Sequence, residues 1–250
     1  GGVTIDDYKV VLGGPMMGQV TDNLSTPVTK TSSGIIVLPV NHNVVVGKIT
    51  DPDRLLRLTQ IACCQCMRCT DTCPRNLLGH ALEPHMIMRN LRLGVTNPLM
   101  EDALLCSECG ICEKYACPML VSPREVNRQI KAALLKNGHK RERKKDQFIP
   151  SSFMKMRKIP SKRLVQKLQL ERYDTHPGFF TGDVVVKEVD IPLHQHIGAP
   201  ALAVVKPGDR VKKGDLIARI PEKKLGATVH ASIDGIVSSI GETIAIKQEG

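Results

Sequence analysis

The sequence predicts an α+β chain of several domains, and three observations predict it. All nine cysteines fall between positions 63 and 117, in two runs of equal spacing, within a stretch that carries helix-start and helix-stop signals. Before that stretch, short β-branched runs are broken by glycine and proline. From Gly182 onward, short strands recur at regular spacing between turns. At 250 residues there is room for two or three small domains, each with a core of its own.

Residues 1–50 read as β structure. Positions 9–12 are a short apolar run that ends at Gly13-Gly14-Pro15-Met16-Met17-Gly18, a loop in which glycine and proline break any regular element. Strands are expected over 26–31 and 34–40, separated by Ser32-Ser33-Gly34. A Gly-rich loop raises a phosphate-binding reading. Neither G-x-x-x-x-G-K-[ST] nor G-x-G-x-x-G before a helix is present, so a loop that lets two backbones approach closely is the better account.

Residues 51–138 read as helical and are organised by cysteine. Asp51-Pro52-Asp53 opens a helix that runs through Gln60, since an acidic first turn containing proline is a start signal. The first run follows: Cys63-Cys64-Gln65-Cys66-Met67-Arg68-Cys69, closed by Cys73-Pro74. Helix is expected over 74–93, with Leu77, Leu78, Ala81, Leu82, Ile87 and Leu91 facing inward and a break at Pro84. Positions 94–97 turn, and 99–105 lead into the second run, Cys106-Ser107-Glu108-Cys109-Gly110-Ile111-Cys112, closed by Cys117-Pro118. Ser122-Pro123-Arg124-Glu125 opens a further helix that ends near Asn137-Gly138.

Two C-x-x-C-x-x-C runs, each followed by a Cys-Pro, form the bacterial ferredoxin signature for a pair of [4Fe-4S] clusters. Three thiolates two residues apart on a tight loop wrap one face of a cubane, and the fourth cysteine is carried toward the other cluster. This assigns Cys63, Cys66, Cys69 and Cys117 to one cluster, and Cys106, Cys109, Cys112 and Cys73 to the other. Cys64 is left as a spare, buried thiol. The second run is irregular: four residues, 113–116, precede its last cysteine where three are usual. Disulfides would want cysteines spread along the chain, and zinc sites would want separated pairs. His80 and His85 lie in the helical stretch, where a packed or surface role outweighs a ligand role because eight cysteines already saturate two clusters. Gly110 and the small residues near it favour close backbone approach to sulfide.

The net charge of +10 is concentrated. Residues 136–172 hold thirteen lysines and arginines against three acids (Glu142, Asp146 and Glu171), and the rest of the chain is neutral. Residues 139–175 are therefore expected as a basic linker, with contact to an acidic protein or a membrane surface as one alternative and nucleic acid as another. Nucleic acid is the least favoured, because neither stacking aromatics nor a recognisable module accompanies the charge. No apolar run approaches the length of a membrane span, and no signal peptide opens the chain. Cysteines used as metal ligands fit a reducing bacterial cytoplasm. The start at Gly1-Gly2-Val3 lacks an initiator methionine, as a piece of a longer protein would.

Residues 176–250 read as a small all-β barrel or sandwich. Strands are expected over 184–189, 201–204, 215–220, 227–230, 235–240 and 243–247, divided by turns such as Lys206-Pro207-Gly208-Asp209 and Ser232-Ile233-Asp234-Gly235.

This last region resembles a biotinyl/lipoyl-type barrel-sandwich hybrid, on Pro207-Gly208-Asp209-Arg210-Val211-Lys212-Lys213-Gly214-Asp215 and Val229-His230-Ala231-Ser232-Ile233-Asp234-Gly235-Ile236-Val237. The modified lysine of a carrier would fall at Lys224, but the flanking methionines are absent, so the resemblance implies structural use of the fold. Nearly the whole chain resembles the RnfC-like electron-transfer family, and within it the cobalamin-reductase branch of propanediol-utilisation microcompartments. Gly13-Gly14-Pro15-Met16-Met17-Gly18, Pro27-Val28-Thr29-Lys30-Thr31 and Gly34-Ile35-Ile36-Val37-Leu38-Pro39 are similar to that family's soluble-ligand-binding β-grasp domain. The double-cysteine start at Cys63-Cys64, Cys73-Pro74-Arg75-Asn76-Leu77-Leu78-Gly79 and Leu82-Glu83-Pro84-His85 are similar to its cluster domain.

The resemblance implies an electron conduit in which no acid–base residue is needed: two [4Fe-4S] clusters, with FMN and NADH engaged only by a flavin/NADH domain, and cobalamin as the substrate. Family members begin with that domain, and nothing in these residues matches it. Implied partners are the flavin/NADH domain, a corrinoid or its adenosyltransferase, and a microcompartment shell protein. The alternatives are a peripheral subunit of a membrane ion-translocating ferredoxin:NAD oxidoreductase, or a non-redox scaffold or nucleic-acid binder.

Overall fold

A computed structural model describes residues 3–93, 98–140, 148–175, 178, 182 and 185–248. Its contacts divide the chain into two units, residues 1–20 with 35–176 and residues 21–34 with 177–250.

The first unit begins with a small sheet. Strand β1 (Tyr8–Leu12) pairs antiparallel with β3 (Ile35–Pro39), Val10 opposite Val37, and β2 (Gln19–Thr21) lies on the other edge of β1. The sheet buries Val11 and Leu38 against Val44 and Val45 of helix α1 (Asn43–Ile49). This helix corrects the expectation of β structure through residue 50. Val44-Val45-Val46 favours strand by propensity, but burial of Val44 and Val45 and an N-cap override it: His42 Nδ1 accepts from the Val44 N–H at 3.2 Å. The Gly13–Gly18 loop is a backbone crossing. A Cβ on Gly18 would stand 2.6 Å from the Gly14 carbonyl oxygen, and the Lys48 ammonium donates to the carbonyls of Met16 (3.2 Å) and Gly18 (2.5 Å).

Helix α2 (Pro52–Ala62) starts on Asp51, whose carboxylate accepts from the Arg54 N–H at 3.0 Å, and it ends at the first cysteine run. Two one-turn helices follow, α3 (Arg68–Asp71) and α4 (Pro74–Leu77), then α5 (Pro84–Leu93). The helical stretch expected over 74–93 is thus two helices. Residues 78–83 turn between them through Gly79 (φ +90°), which takes Leu78 (46% exposed) and Ala81 out of the core. Leu77, Leu82 and Ile87 are buried as expected, joined by Met88. A 3-10 helix over Pro98–Leu105 brings in the second run, and α6 (Pro123–Lys136) completes the layer. Leu82, Ile87, Met88, Ala103 and Val126 form one core, with Cys73 buried in it and Cys63 and Cys106 packed against it. The turn expected at 94–97 lies outside the described residues.

The basic stretch at 141–147 also lies outside the described residues; residues 148–158 fold back beside α3 and α4. The Ser151 N–H donates to the Leu77 carbonyl at 2.9 Å, the Phe148 ring packs on His80, and Arg157 pairs with Asp71 at 2.8 Å. Helix α7 (Ser161–Lys167) leads to Leu168, buried on the Val11 and Leu38 core.

The second unit has a four-stranded sheet ordered β4-β10-β9-β6 and a three-stranded sheet ordered β5-β7-β8. The strands are β4 (Glu188–Pro192), β5 (Leu202–Ala203), β6 (Arg210–Val211), β7 (Leu216–Arg219), β8 (Val229–His230), β9 (Gly235–Ile240) and β10 (Thr243–Lys247). Ile217, Val229, Val237, Ile244 and Ile246 fill the space between them. The turns are closed by aspartates: Asp209 accepts from the Lys206 N–H at 2.7 Å and Asp215 from the Lys212 N–H at 2.8 Å, with Gly208 and Gly214 left-handed. The strand expected over 184–189 is displaced to 188–192; positions 183–184 lie outside the described residues. The strand expected over 26–31 is a loop: the Lys30 N–H and Thr31 hydroxyl bond Gln195, and the Lys30 ammonium bonds the Thr228 carbonyl. Those polar groups find partners outside any ladder, which removes the need for strand pairing.

Gly79→Ala is expected to free residues 148–157. A Cβ there would sit 2.5 Å from the Ile149 carbonyl oxygen, on a left-handed backbone that costs a further ~1–2 kcal/mol for an L-residue. Hydrogen exchange should show faster exchange of the Ser151 amide, with the β9–β10 amides unchanged.

Candidate iron–sulfur site

The two cysteine runs fold into the same loop. Gln65 (φ 56°) and Met67 (φ 64°) are left-handed in the first, and Glu108 (φ 57°) and Gly110 (φ 79°) occupy the equivalent places in the second. Left-handed residues at alternate positions turn successive backbone N–H groups to one side, the concave arrangement that receives anionic sulfur. Met67 bears the steric cost of that conformation; Gly110 does not, and a Cβ there would also meet Met16 Cε at 3.4 Å.

Helical turns then carry each run to its closing cysteine. In the first, α3 and its C-cap Thr72 carry the chain across the three residues between Cys69 and Cys73. In the second, a π turn over Cys112–Ala116 takes up the four residues before Cys117. A π turn is the device by which a helical segment absorbs one extra residue, so the irregular spacing ends in the same kind of turn.

Cys63, Cys66, Cys69 and Cys117 line one cavity, walled by His85, Met88, Met119 and Val121. Cys73 lies within electrostatic reach of Cys106 and Cys109, and Cys112 is near the same two thiols and Cys69. Cys73 and Cys112 are buried at 8% exposure. Cys64, expected to be a spare buried thiol, is exposed, and it lines the same cavity beside Cys63.

Burial governs the thiols. It pushes Cys69 up to about 12, an effect the Thr70 N–H opposes and the nearby Cys63, Cys66 and Cys117 add to. It raises Cys112 well above the ordinary range, and Cys73, Cys106 and Cys117 as well. Backbone N–H groups of Arg75 and Asn76 work against the shift at Cys73, those of Met119 and Val121 at Cys117. Such sulfurs hold their protons alone and become thiolates when a cation compensates the buried charge. Among the described residues no three His, Cys, Asp or Glu side chains converge as a single-ion site. A cubane needs no such convergence, since each of its four irons takes one thiolate. The donor set and the N–H groups aimed at it fit a cluster of that kind.

Side chains outside the motif complete the surroundings. The Thr70 hydroxyl lies 2.7 Å from His85 Nδ1 and accepts from the His85 N–H at 3.1 Å. Glu113 is buried with Arg124 at 3.5 Å and Lys114 at 3.7 Å. Lys48 stands near both cations; burial first, then Arg124 and Lys114, lowers its pKa to about 8. Three donors were missed by the cysteine pattern. Gln65 Nε2 donates to Cys63 Sγ at 3.2 Å, Asn127 Nδ2 to Cys106 Sγ at 3.8 Å, and Lys131 Nζ to the Cys106 carbonyl at 3.0 Å. The spacing of Asn127 and Lys131, four apart on α6, was the available signal that one helix face meets the loop.

Two family models match, the 4Fe-4S dicluster domain over residues 62–122 and the RnfC barrel sandwich hybrid domain over residues 183–250. The cobalamin reductase PduS of Salmonella typhimurium and that of Citrobacter freundii are each 42% identical over 245 residues, 97% of this chain and 54% of theirs. A component of the proton-translocating ferredoxin:NAD(+) oxidoreductase complex of Clostridium ljungdahlii is 49% identical over 55 residues, 22% of this chain and 12% of that one.

The chain is similar to RnfC-like proteins in its barrel-sandwich hybrid and to cobalamin reductases over nearly its whole extent.

It spans about half the length of the curated relatives it matches along its whole extent. The chain is a mixed α/β protein with a ferredoxin-type 4Fe-4S domain and an RnfC barrel-sandwich hybrid. Among its described residues no helix is long and apolar enough to cross a membrane.

The raised thiols give a pH test on iron-free protein. An unfolded thiol ionises near 9 and a folded Cys69 near 12, so between those values the folded state holds more protons and stability falls as pH rises. Lys48 runs the other way, since its lowered value makes the folded state lose a proton first. The difference in urea midpoint between wild type and Cys69→Ser cancels the Lys48 contribution. Between pH 8 and pH 11 wild type should lose on the order of 1 kcal/mol or more relative to the variant.

Proposed function

We propose that this chain is the iron–sulfur electron-transfer part of a cobalamin reductase and that it holds two [4Fe-4S] clusters. Cys63, Cys66, Cys69 and Cys117 ligate one, and Cys106, Cys109, Cys112 and Cys73 the other. The observation that carries the reading is the exchange of closing cysteines: Cys117 lines the cavity of the first run, and Cys73 lies beside the second. The extent of similarity to two proteins named cobalamin reductase supports the place of the chain in such an enzyme.

Bound clusters supply reversible one-electron transfer. The residues of the chain do the rest. Eight thiols ligate, the core around Leu82, Met88 and Val126 shields Cys73 and the inner sides of Cys63 and Cys106 from water, and N–H groups offset charge on sulfur. Hydride chemistry belongs to a flavin/NADH domain outside these residues, with FMN as its flavin. Cobalamin is the substrate at the far end, and a corrinoid or its adenosyltransferase is the partner. The N-terminal sheet with α1 is read as a β-grasp domain, and a cytoplasmic propanediol-utilisation microcompartment, with a shell protein as neighbour, is the setting.

A second reading, the peripheral subunit of an ion-translocating complex, is favoured by the short matches to components of such oxidoreductase complexes from Clostridium ljungdahlii, Rhodobacter capsulatus and Vibrio cholerae. Those matches cover 22–31% of this chain, against 97% for the cobalamin reductases, so the first reading is the better supported.

Anaerobically prepared protein should contain about eight irons and eight acid-labile sulfides per chain. Cys73→Ser and Cys109→Ser should leave the same residual spectrum, and Cys117→Ser and Cys66→Ser the other. Cys73→Ser grouping with Cys66→Ser would sink the ligand sets. Absorbance of cobalamin mixed with photoreduced protein tests the acceptor; absence of cobalt reduction counts against a cobalamin reductase.

A further inference from the structure

Asn127 is buried at a cost that packing does not explain. Its side chain is 0% exposed, and its Oδ1 has no hydrogen-bond partner among the described residues. An orphaned buried carbonyl costs ~1–3 kcal/mol, so an apolar side chain of similar volume would serve the core better. Among the described residues the amide's hydrogen bond is Nδ2–H to Cys106 Sγ, at 3.8 Å.

The other loop explains why an amide is needed there. Gln65, two residues after Cys63, donates its own side-chain N–H to Cys63 Sγ at 3.2 Å. The equivalent residue two after Cys106 is Glu108, whose carboxylate has no proton to give and is held by Lys131 at 3.0 Å. The second loop therefore has no side-chain donor of its own, and α6 supplies one from Asn127. Lys131, one turn along the same helix, fixes the Cys106 carbonyl at 3.0 Å and so keeps the sulfur in front of the amide.

We infer that Gln65 and Asn127 are matched tuning residues, each donating an N–H to the first thiolate of one cluster and raising that cluster's reduction potential. Reduction adds negative charge, and a donor to sulfur stabilises the more negative state. The inference rests on the two-cluster reading above. Asn127 acts in a drier place than the half-buried Gln65, so its effect is the larger.

The test is an EPR-monitored redox titration of the loaded chain, in which two reduction steps are expected. Asn127→Leu should move one step to lower potential, by a three- to tenfold change in the reduced-to-oxidised ratio, tenfold being 59 mV for one electron. Gln65→Leu should move the other step, and by less. Asn127→Asp keeps the shape and removes the N–H, so it must move the same step as Asn127→Leu, and it decides the matter if the leucine variant takes up no iron. Thermal unfolding of Asn127→Leu should be unchanged or higher, which a purely structural role would not allow. Two steps that both variants of Asn127 leave in place would overturn the inference, as would Asn127→Leu and Gln65→Leu moving the same step. Wild type with about four irons per chain, or with no labile sulfide, would overturn the two-cluster reading instead.

Discussion

Buried sulfur is the constraint on which the first unit is built. A thiolate out of water is costly, and the folded chain keeps several thiols protonated by enclosing them. The same enclosure suits a cluster, because iron supplies the missing positive charge and the core excludes competing water. Much of the local architecture follows from having to reach these sulfurs with N–H groups. Left-handed residues sit where a straight loop would turn its amides away, at 65 and 67 and again at 108 and 110. Non-glycine side chains at three of those four positions mean that the conformation is imposed by the surroundings, at a cost of ~1–2 kcal/mol each.

One core serves both loops. Cys73 is buried in it, and Cys63 and Cys106 lie against it from opposite ends of the segment. Helix α6 is the shared wall. It begins soon after Cys117, contributes Val126 to the core, and reaches the second loop through Asn127 and Lys131. A change in α6 is therefore felt at sulfurs that the sequence places in different runs.

The cysteine pattern was fully legible, because ligand spacing is a local property written in consecutive residues. So were helix starts at Asp51 and Ser122-Pro123 and the turn-rich texture beyond Gly182. The failures share a physical cause. Val44-Val45-Val46 reads as strand by propensity, but a helix buries the first two side chains on the sheet. Residues 26–31 read as strand, but side-chain and backbone partners at Gln195 satisfy them, far away in sequence. Leu78 and Ala81 fit a helical period that Gly79 interrupts. In the site, the cysteine spacing is written in consecutive residues, whereas for Asn127 the four-residue spacing to Lys131 marks a shared helix face without saying that the face meets Cys106.

The Gly-rich loop at 13–18 illustrates how a motif can be explained by its neighbours. No phosphate signature accompanies it, and its carbonyls are taken by Lys48. That ammonium is itself in an unfavourable place, partly buried and near Arg124 and Lys114, with Glu113 as the nearby carboxylate. Two carbonyl acceptors and one buried acid make the position tolerable. The consequence is mechanical. Met16, held by Lys48, stands beside Gly110, where an L side chain would strain the left-handed turn. The N-terminal sheet thus reaches the second cysteine loop through one lysine, one methionine and one glycine, and the charge carried by Lys48 bears on how firmly that loop is held.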